Sequence, residues 1–230
     1  MAKKIVIIGA GPGGYVGAIK AAKMGAQVTL VEKEKVGGTC LNRGCIPTKA
    51  LLAASDVLTK VKEAKDFGII IEGDIKPDIN FIMERKDKIV ERLVSGIEFL
   101  LEKNNVKLVN GTGKIADKNK VTVTKADGSS EELEADAIII ATGSSPARIP
   151  TFPYDGQKVI TSDEALNLRY IPKSMIIVGA GVIGCEFANF FNSIGTSVTL
   201  VEMMDHVLPL EEKEIGSEMA KFLKRKKIKL

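Results

Sequence analysis

The chain has 230 residues, 45% of them apolar and 27% charged, with 33 Lys+Arg against 29 Asp+Glu. This composition excludes a disordered, collagen-like or coiled-coil chain, and no apolar run approaches the roughly 18–20 residues of a membrane span. At roughly 150 residues per domain the length corresponds to about one and a half domains. Three cysteines are too few for a secreted disulfide scaffold, so a cytoplasmic protein is expected. Six basic residues, Lys221, Lys224, Arg225, Lys226, Lys227 and Lys229, lie in the last ten positions, and without them 27 basic residues face 29 acidic ones. They read as a solvated helix end. With no basic stripe interleaved with aromatics, no nucleic-acid partner is expected, and no membrane partner either.

In chain order, the basic start Met1–Lys4 leads into an apolar run of only Ile5–Ile8, too short for a signal peptide and suited to a buried strand. The glycine turn Gly9-Ala10-Gly11-Pro12-Gly13-Gly14 follows, then a helix, Gly25, and a second strand that closes on Glu32, 18 residues after Gly14. A dinucleotide site needs this order. Gly9 permits the tight turn, Gly11 lets the backbone approach a pyrophosphate, and Gly14 allows close helix–strand packing. The pyrophosphate rests on the helix N-terminus, and Glu32 can accept hydrogen bonds from ribose hydroxyls.

Next comes Gly37-Gly38-Thr39-Cys40-Leu41-Asn42-Arg43-Gly44-Cys45-Ile46-Pro47-Thr48-Lys49. A zinc site is one reading of the cysteines, but no second pair exists and the chain has a single His. Two inert core thiols are another. The glycine-rich setting and following helix favour a functional pair, since a helix N-terminus lowers a thiol's pKa. Five residues of regular helix rise about 7.5 Å, beyond the roughly 4.4–6.8 Å between bridged Cα atoms. If the cysteines are bridged, the helix entry must therefore be distorted, with Gly44 supplying the freedom.

Apolar spacing predicts a helix over Cys45–Lys65 and a long amphipathic helix over Asp78–Lys103. Val106–Asn110 reads as a strand, Lys114–Ala135 as a small antiparallel meander turning at Asp127-Gly128, and Ala137–Ala141 as another buried strand. Pro146, Pro150 and Pro153 mark a domain junction.

Beyond it the opening pattern returns. Met175–Met203 aligns with Ile5–Lys33 at an offset of 170, without a gap, and 12 of 29 positions are identical. The second turn is Gly179-Ala180-Gly181-Val182-Ile183-Gly184, and Glu202 again follows at 18. A carboxylate there repels a 2′-phosphate and favours NAD, and no Arg stands beside it. The fold class is α/β, with two Rossmann-like dinucleotide-binding folds, the second incomplete, and a small β-meander. Cys185 reads as a packing residue, and His206, the single His, as structural or surface rather than catalytic.

Two dinucleotide folds around a Cys-x4-Cys pair resemble the class I pyridine nucleotide-disulfide oxidoreductases. The wording of Gly37–Lys49 is closest to the dihydrolipoamide dehydrogenase family, with further matches at Gly111–Lys114, Ala141–Ser144 and Gly179–Glu186. The resemblance implies FAD on the first fold, near Gly9, Gly11, Pro12, Gly14, Glu32, Lys33, Gly38 and Thr39, with Lys49, Gly113, Thr142, Gly143 and Ser144. It implies NAD on the second, near Gly179, Gly181, Val182, Ile183, Gly184 and Glu202. It makes Cys40 and Cys45 a redox-active disulfide, with Cys40 exchanging with a dithiol and Cys45 against the flavin, and it pairs Lys49 with Glu186. Residues 1–145 then form the FAD-binding part and 146–230 a truncated NAD-binding part, with the family's dimerisation domain, its His base and its later flavin-ribitol segment absent. The chain is expected to match the N-terminal half of a homodimeric enzyme that oxidises the lipoyl domain of a 2-oxo acid dehydrogenase-type, acetoin dehydrogenase or glycine-cleavage complex. The alternatives are a catalytically silent nucleotide-binding fragment and a glutathione- or mercuric-type reductase.

Overall fold

The structure, a computed structural model, describes residues 2–230. In chain order its elements are β1 (Lys4–Ile8), α1 (Pro12–Lys23), β2 (Gln27–Glu32), α2 (Gly38–Arg43), α3 (Cys45–Glu63), α4 (Ile79–Lys103), β3 (Lys107–Asn110), β4 (Thr112–Asp117), β5 (Lys120–Thr124), β6 (Ser130–Glu134), β7 (Ala137–Ile140), α5 (Ser162–Ala165), β8 (Ser174–Val178), α6 (Val182–Ser193), β9 (Ser197–Val201) and α7 (Lys213–Arg225). They form two compact units, Met1–Pro47 with Lys88–Thr151, and Thr48–Asp87 with Phe152–Leu230.

In the first unit a parallel sheet runs in the order β3-β2-β1-β7. Register pairs Ile7 with Leu30 and with Ile139, so the uninterrupted apolar run of β1 lies between two neighbours. Side chains alternate across such a sheet. Ile7, Val28 and Leu30 point to the helical side and pack with Ala18, Ile97 and Leu101. Val6, Ile8 and Val31 point the other way, where Val121 and Val123 of the antiparallel β4-β5-β6 sheet cover them. The meander is thus the lid of the second face rather than an appendage. Its turn closes through Lys125 N–H to Ser129 C=O at 2.8 Å. Asp127 accepts from the Ser129 hydroxyl and N–H, which hold its carboxyl below the usual range.

In the second unit β8 and β9 pair in parallel, and an isolated parallel bridge joins Thr199 of β9 to Lys229. α6 buries Phe187, Ala188, Phe190 and Phe191 against Val198, Leu200, Leu223 and Ile228, together with Leu51 of α3 and Met83 of α4.

The expected elements recur within one or two residues of their predicted ends. The short α5 was not expected, although Thr161-x-x-Glu164 is a legible capping box. Glu164 accepts from the Thr161 N–H at 2.7 Å, and Thr161 Oγ1 accepts from Asp163 N–H at 3.3 Å. The proline-rich junction brackets the boundary at Thr151/Phe152, whereas the crossings at Pro47/Thr48 and Asp87/Lys88 lie inside α3 and α4, where helical periodicity continues without a mark.

One buried charge ties the second unit's pieces together. Lys86, 3% exposed, donates to Leu166 C=O at 2.9 Å and Asn167 Oδ1 at 3.1 Å, and pairs with Asp87 at 2.8 Å. Arg169 reaches the other oxygen of Asp87 at 2.7 Å. Lys86→Ala removes these bonds and leaves a cavity, so it should cost about 2–4 kcal/mol in a urea titration. A loss below about 0.5 kcal/mol would mean the clamp adds nothing net to the fold.

Candidate functional site

β1 runs directly into Gly9 and α1 starts at Pro12, where the missing N–H forfeits no helical bond. No side chain caps this helix and its first turn carries no acid, so its positive end is left for an external anion. Gly14 lies so close to Gly9 that a Cβ would fall 1.7 Å from the Gly9 carbonyl oxygen. Ala10, between the first two glycines, is gripped on both sides. Its N–H donates to Glu32 Oε2 at 2.7 Å, and its C=O accepts from Gly37 N–H at 2.8 Å. A Cβ on Gly38 would fall 2.5 Å from Gly11 Cα, so two backbones meet where the cysteine segment passes the turn.

Thr39 Oγ1 donates to Ser144 C=O at 3.3 Å, and Ala141 N–H to Ile8 C=O at 2.8 Å. The fold therefore gathers residues 9–14, 32, 37–39 and 141–144 at one end of the parallel sheet. Gly113 sits on β4 against Ile8, and Lys33 lines a shallow depression with Asn110, Gly111 and Asp127. An uncapped helix end lined by glycine backbone fits a dinucleotide pyrophosphate.

α2 stops at Gly44, whose backbone (φ −144°, ψ −116°) breaks the helix before α3 starts at Cys45. The break brings the Cα atoms of Cys40 and Cys45 to 4.7 Å and the sulfurs form a disulfide. This is the distorted entry that the spacing required. Asn42, which sequence reasoning passed over, holds the approach. Its Nδ2 donates to Val36 C=O at 3.0 Å and Gly38 C=O at 3.1 Å. Its position between the two cysteines was the available signal. Among the described residues no group of three or more His, Cys, Asp and Glu could hold a metal ion.

The second turn repeats the first. A Cβ on Gly184 would fall 1.9 Å from the Gly179 oxygen. Ala180 donates to Glu202 Oε2 at 2.7 Å and accepts from Leu208 N–H at 2.8 Å. Glu202 Oε1 also accepts from Met203 and Met204 N–H, at 2.8 and 3.0 Å. These backbone donors, Met204 and Ala180 first, hold its carboxyl below the usual range.

On α6, Cys185 is buried and donates to Ala180 C=O at 3.4 Å. Burial, reinforced by the charges of Glu186 and Glu202, pushes its thiol up to about 11. Glu186, the next residue, pairs with Lys49 of α3 within the same unit. The Lys49 side chain is 60% exposed and Glu186 22%, so solvent, not burial, surrounds the ammonium. The lysine projects from the first turns of α3 and its partner carries most of the packing.

The profile described as pyridine nucleotide-disulphide oxidoreductase matches residues 3–230. The chain belongs to that family. It is 49% identical over 232 residues to a dihydrolipoyl dehydrogenase of Acholeplasma laidlawii, covering 99% of this chain and 67% of the relative. It is 44% identical to one of Bacillus subtilis, covering 92% of this chain and 46% of the relative. The crystal structure of LpdA from Mycobacterium tuberculosis superposes with a TM-score of 0.91 at 30% identity, over 100% of this chain and 51% of that one. The chain thus spans between about half and two thirds of the relatives' length. The family fold accounts for the mixed architecture, parallel sheets with a separate antiparallel one.

The three cysteines should separate by reactivity. Iodoacetamide at pH 8 should label none in the untreated chain, two after mild reduction, and the third, Cys185, only on unfolding. Labelling of Cys185 in folded protein, read by peptide mass, would contradict its burial.

Proposed function

We propose that this chain carries the flavin, NAD and disulfide chemistry of a dihydrolipoyl dehydrogenase. The observation that carries the proposal is the Cys40–Cys45 disulfide, set where the first glycine turn and the Gly37–Gly38 backbone meet. Residues 1–145 serve as the FAD-binding part and 146–230 as the NAD-binding part.

FAD is assigned to Gly9, Gly11, Pro12, Gly14, Glu32, Lys33, Gly38, Thr39, Lys49, Gly113 and Thr142–Ser144. The uncapped N-terminus of α1 receives the pyrophosphate, and Glu32 has lone pairs left for a ribose hydroxyl after binding Ala10 and Glu34 N–H. NAD is assigned to Gly179, Gly181–Gly184 and Glu202, whose ionised carboxylate repels a 2′-phosphate.

A dithiol substrate reacts with the disulfide in two exchanges. One substrate thiolate attacks Cys40 Sγ, the sulfur–sulfur bond breaks, and Cys45 leaves as a thiolate. The second substrate thiolate attacks the sulfur of the substrate in the mixed disulfide, the cyclic disulfide product departs, and Cys40 is released as a thiolate that takes up a proton. FAD, when bound, supplies a two-electron relay between the Cys45 thiolate and NAD⁺. Lys49 is held by its ion pair with Glu186. His206 is held by Asp205 in the second unit and is assigned no part in proton transfer.

The substrate in this proposal is the lipoyl group of a 2-oxo acid dehydrogenase-type, acetoin dehydrogenase or glycine-cleavage complex. Homodimeric assembly and a cytoplasmic location belong with it. Among the described residues no helix is long and apolar enough to cross a membrane.

Cys40→Ser and Cys45→Ser test the sulfur roles in flavin-loaded protein. Each should lower turnover of dihydrolipoamide by about 10³-fold or more. Only Cys40→Ser should keep a thiolate-dependent perturbation of the flavin absorbance. The reverse spectral pattern would exchange the two assignments, and retained turnover in either variant would overturn the mechanism.

A further inference from the structure

Glu202 uses both carboxylate oxygens on backbone, one on the glycine turn and one on the loop after β9. Its position is therefore only as definite as that loop. Met203, Met204 and Asp205 are exposed and contribute no burial to hold it. His206 is the first residue at which the loop turns inward, ahead of the buried Val207 and Leu208. The imidazole lies against Gly216 of α7, where a Cβ would come within 3.0 Å of His206 Cδ2 and 2.3 Å of the Val207 oxygen.

A carboxylate only accepts, so the bond at 2.5 Å runs from His206 Nδ1–H to Asp205 Oδ1, and it is the chief influence that lowers the Asp205 carboxyl below its usual range. Nε2 is buried and has no partner among the described residues. An apolar ring or branched side chain would fill this space without stranding a polar atom. What an apolar residue lacks is the Nδ1 donor.

We propose that His206 is a positioning residue for the second nucleotide site, holding Asp205 and the Met203–Asp205 loop so that Glu202 selects a nucleotide with a free 2′-hydroxyl. The inference rests on the NAD role assigned to Glu202. Asp205 is exposed three residues beyond Glu202, and its carboxylate adds a second negative charge to the same loop. Lys213 of α7 stands 4.0 Å from its other oxygen. Without the Nδ1 donor Asp205 swings toward Lys213 and the loop loses its definition.

The test is calorimetric titration of the chain with NAD⁺ and NADP⁺ for wild type, Glu202→Gln, His206→Leu and His206→Asn, with melting temperatures for each. Wild type should prefer NAD⁺, and Glu202→Gln should narrow that preference. His206→Leu should melt no lower than wild type yet bind NAD⁺ about three- to tenfold more weakly, the equivalent of one net hydrogen bond, and discriminate less against NADP⁺. His206→Asn keeps an N–H donor near the Nδ1 position and should restore both to within about twofold. Unchanged affinity and discrimination in His206→Leu would overturn the proposal while leaving Glu202 in place. A wild type that binds neither nucleotide or shows no preference, or an unaltered Glu202→Gln, would overturn the role of Glu202 and the proposal with it.

Discussion

A single hydrogen bond recurs at both nucleotide folds, and the local architecture depends on it. The carboxylate at the end of a second strand reaches back to the N–H of the alanine inside the glycine turn, 22 residues earlier, at 2.7 Å in both cases. A turn of small residues has no side chains to hold it, and ordering it costs more conformational entropy per residue than ordering ordinary chain. A charge-assisted bond to the middle of the turn offsets that cost, by about 1.5–3 kcal/mol where solvent is excluded and less where it is not. The same alanine's carbonyl is then taken by the segment beyond the carboxylate, through Gly37 in one fold and Leu208 in the other. The turn is thus held on both sides by its own chain.

The two folds diverge immediately after that bracket. Beyond Gly37 the chain passes against Gly11 and enters the short helix that ends between the cysteines, so one backbone junction sets both the first glycine turn and the disulfide. Asn42 fastens the same junction from the far side by donating to the carbonyls that precede and open the helix. Beyond Leu208 the chain instead comes out to the surface, with Leu210 97% exposed, before α7 begins at Lys213. Leu208 takes the bracketing position with a positive φ of 56° despite its side chain, which is buried. The same device therefore leads into the disulfide-bearing segment in one fold and an exposed connection to α7 in the other.

Much of this was legible because it is local. The repeated glycine spacing, the apolar runs before it and the acid 18 residues after it can be read directly, and so can the need for a broken helix between cysteines five apart. The long amphipathic α4 was legible from its period. The contacts that organise the units were not, because they join distant residues of unremarkable type. Lys86 finds its carbonyl partner 80 residues away, and nothing around it in the sequence marks it as buried. The segment 48–87 packs with the second unit although both of its ends lie within continuous helices. The expectation that Lys49 meets Glu186 came from resemblance, since no pattern links positions 137 apart.

The duplication also makes the central claim separable, because each carboxylate serves one fold. The most direct measurement is the affinity of the chain for FAD and for NAD⁺ in the reciprocal variants Glu32→Gln and Glu202→Gln. Each glutamine keeps the shape but gives up the charge, so it should weaken one cofactor by about tenfold and leave the other unchanged, FAD for Glu32→Gln and NAD⁺ for Glu202→Gln. Equal loss of both cofactors in either variant, or no loss in both variants, would contradict the account.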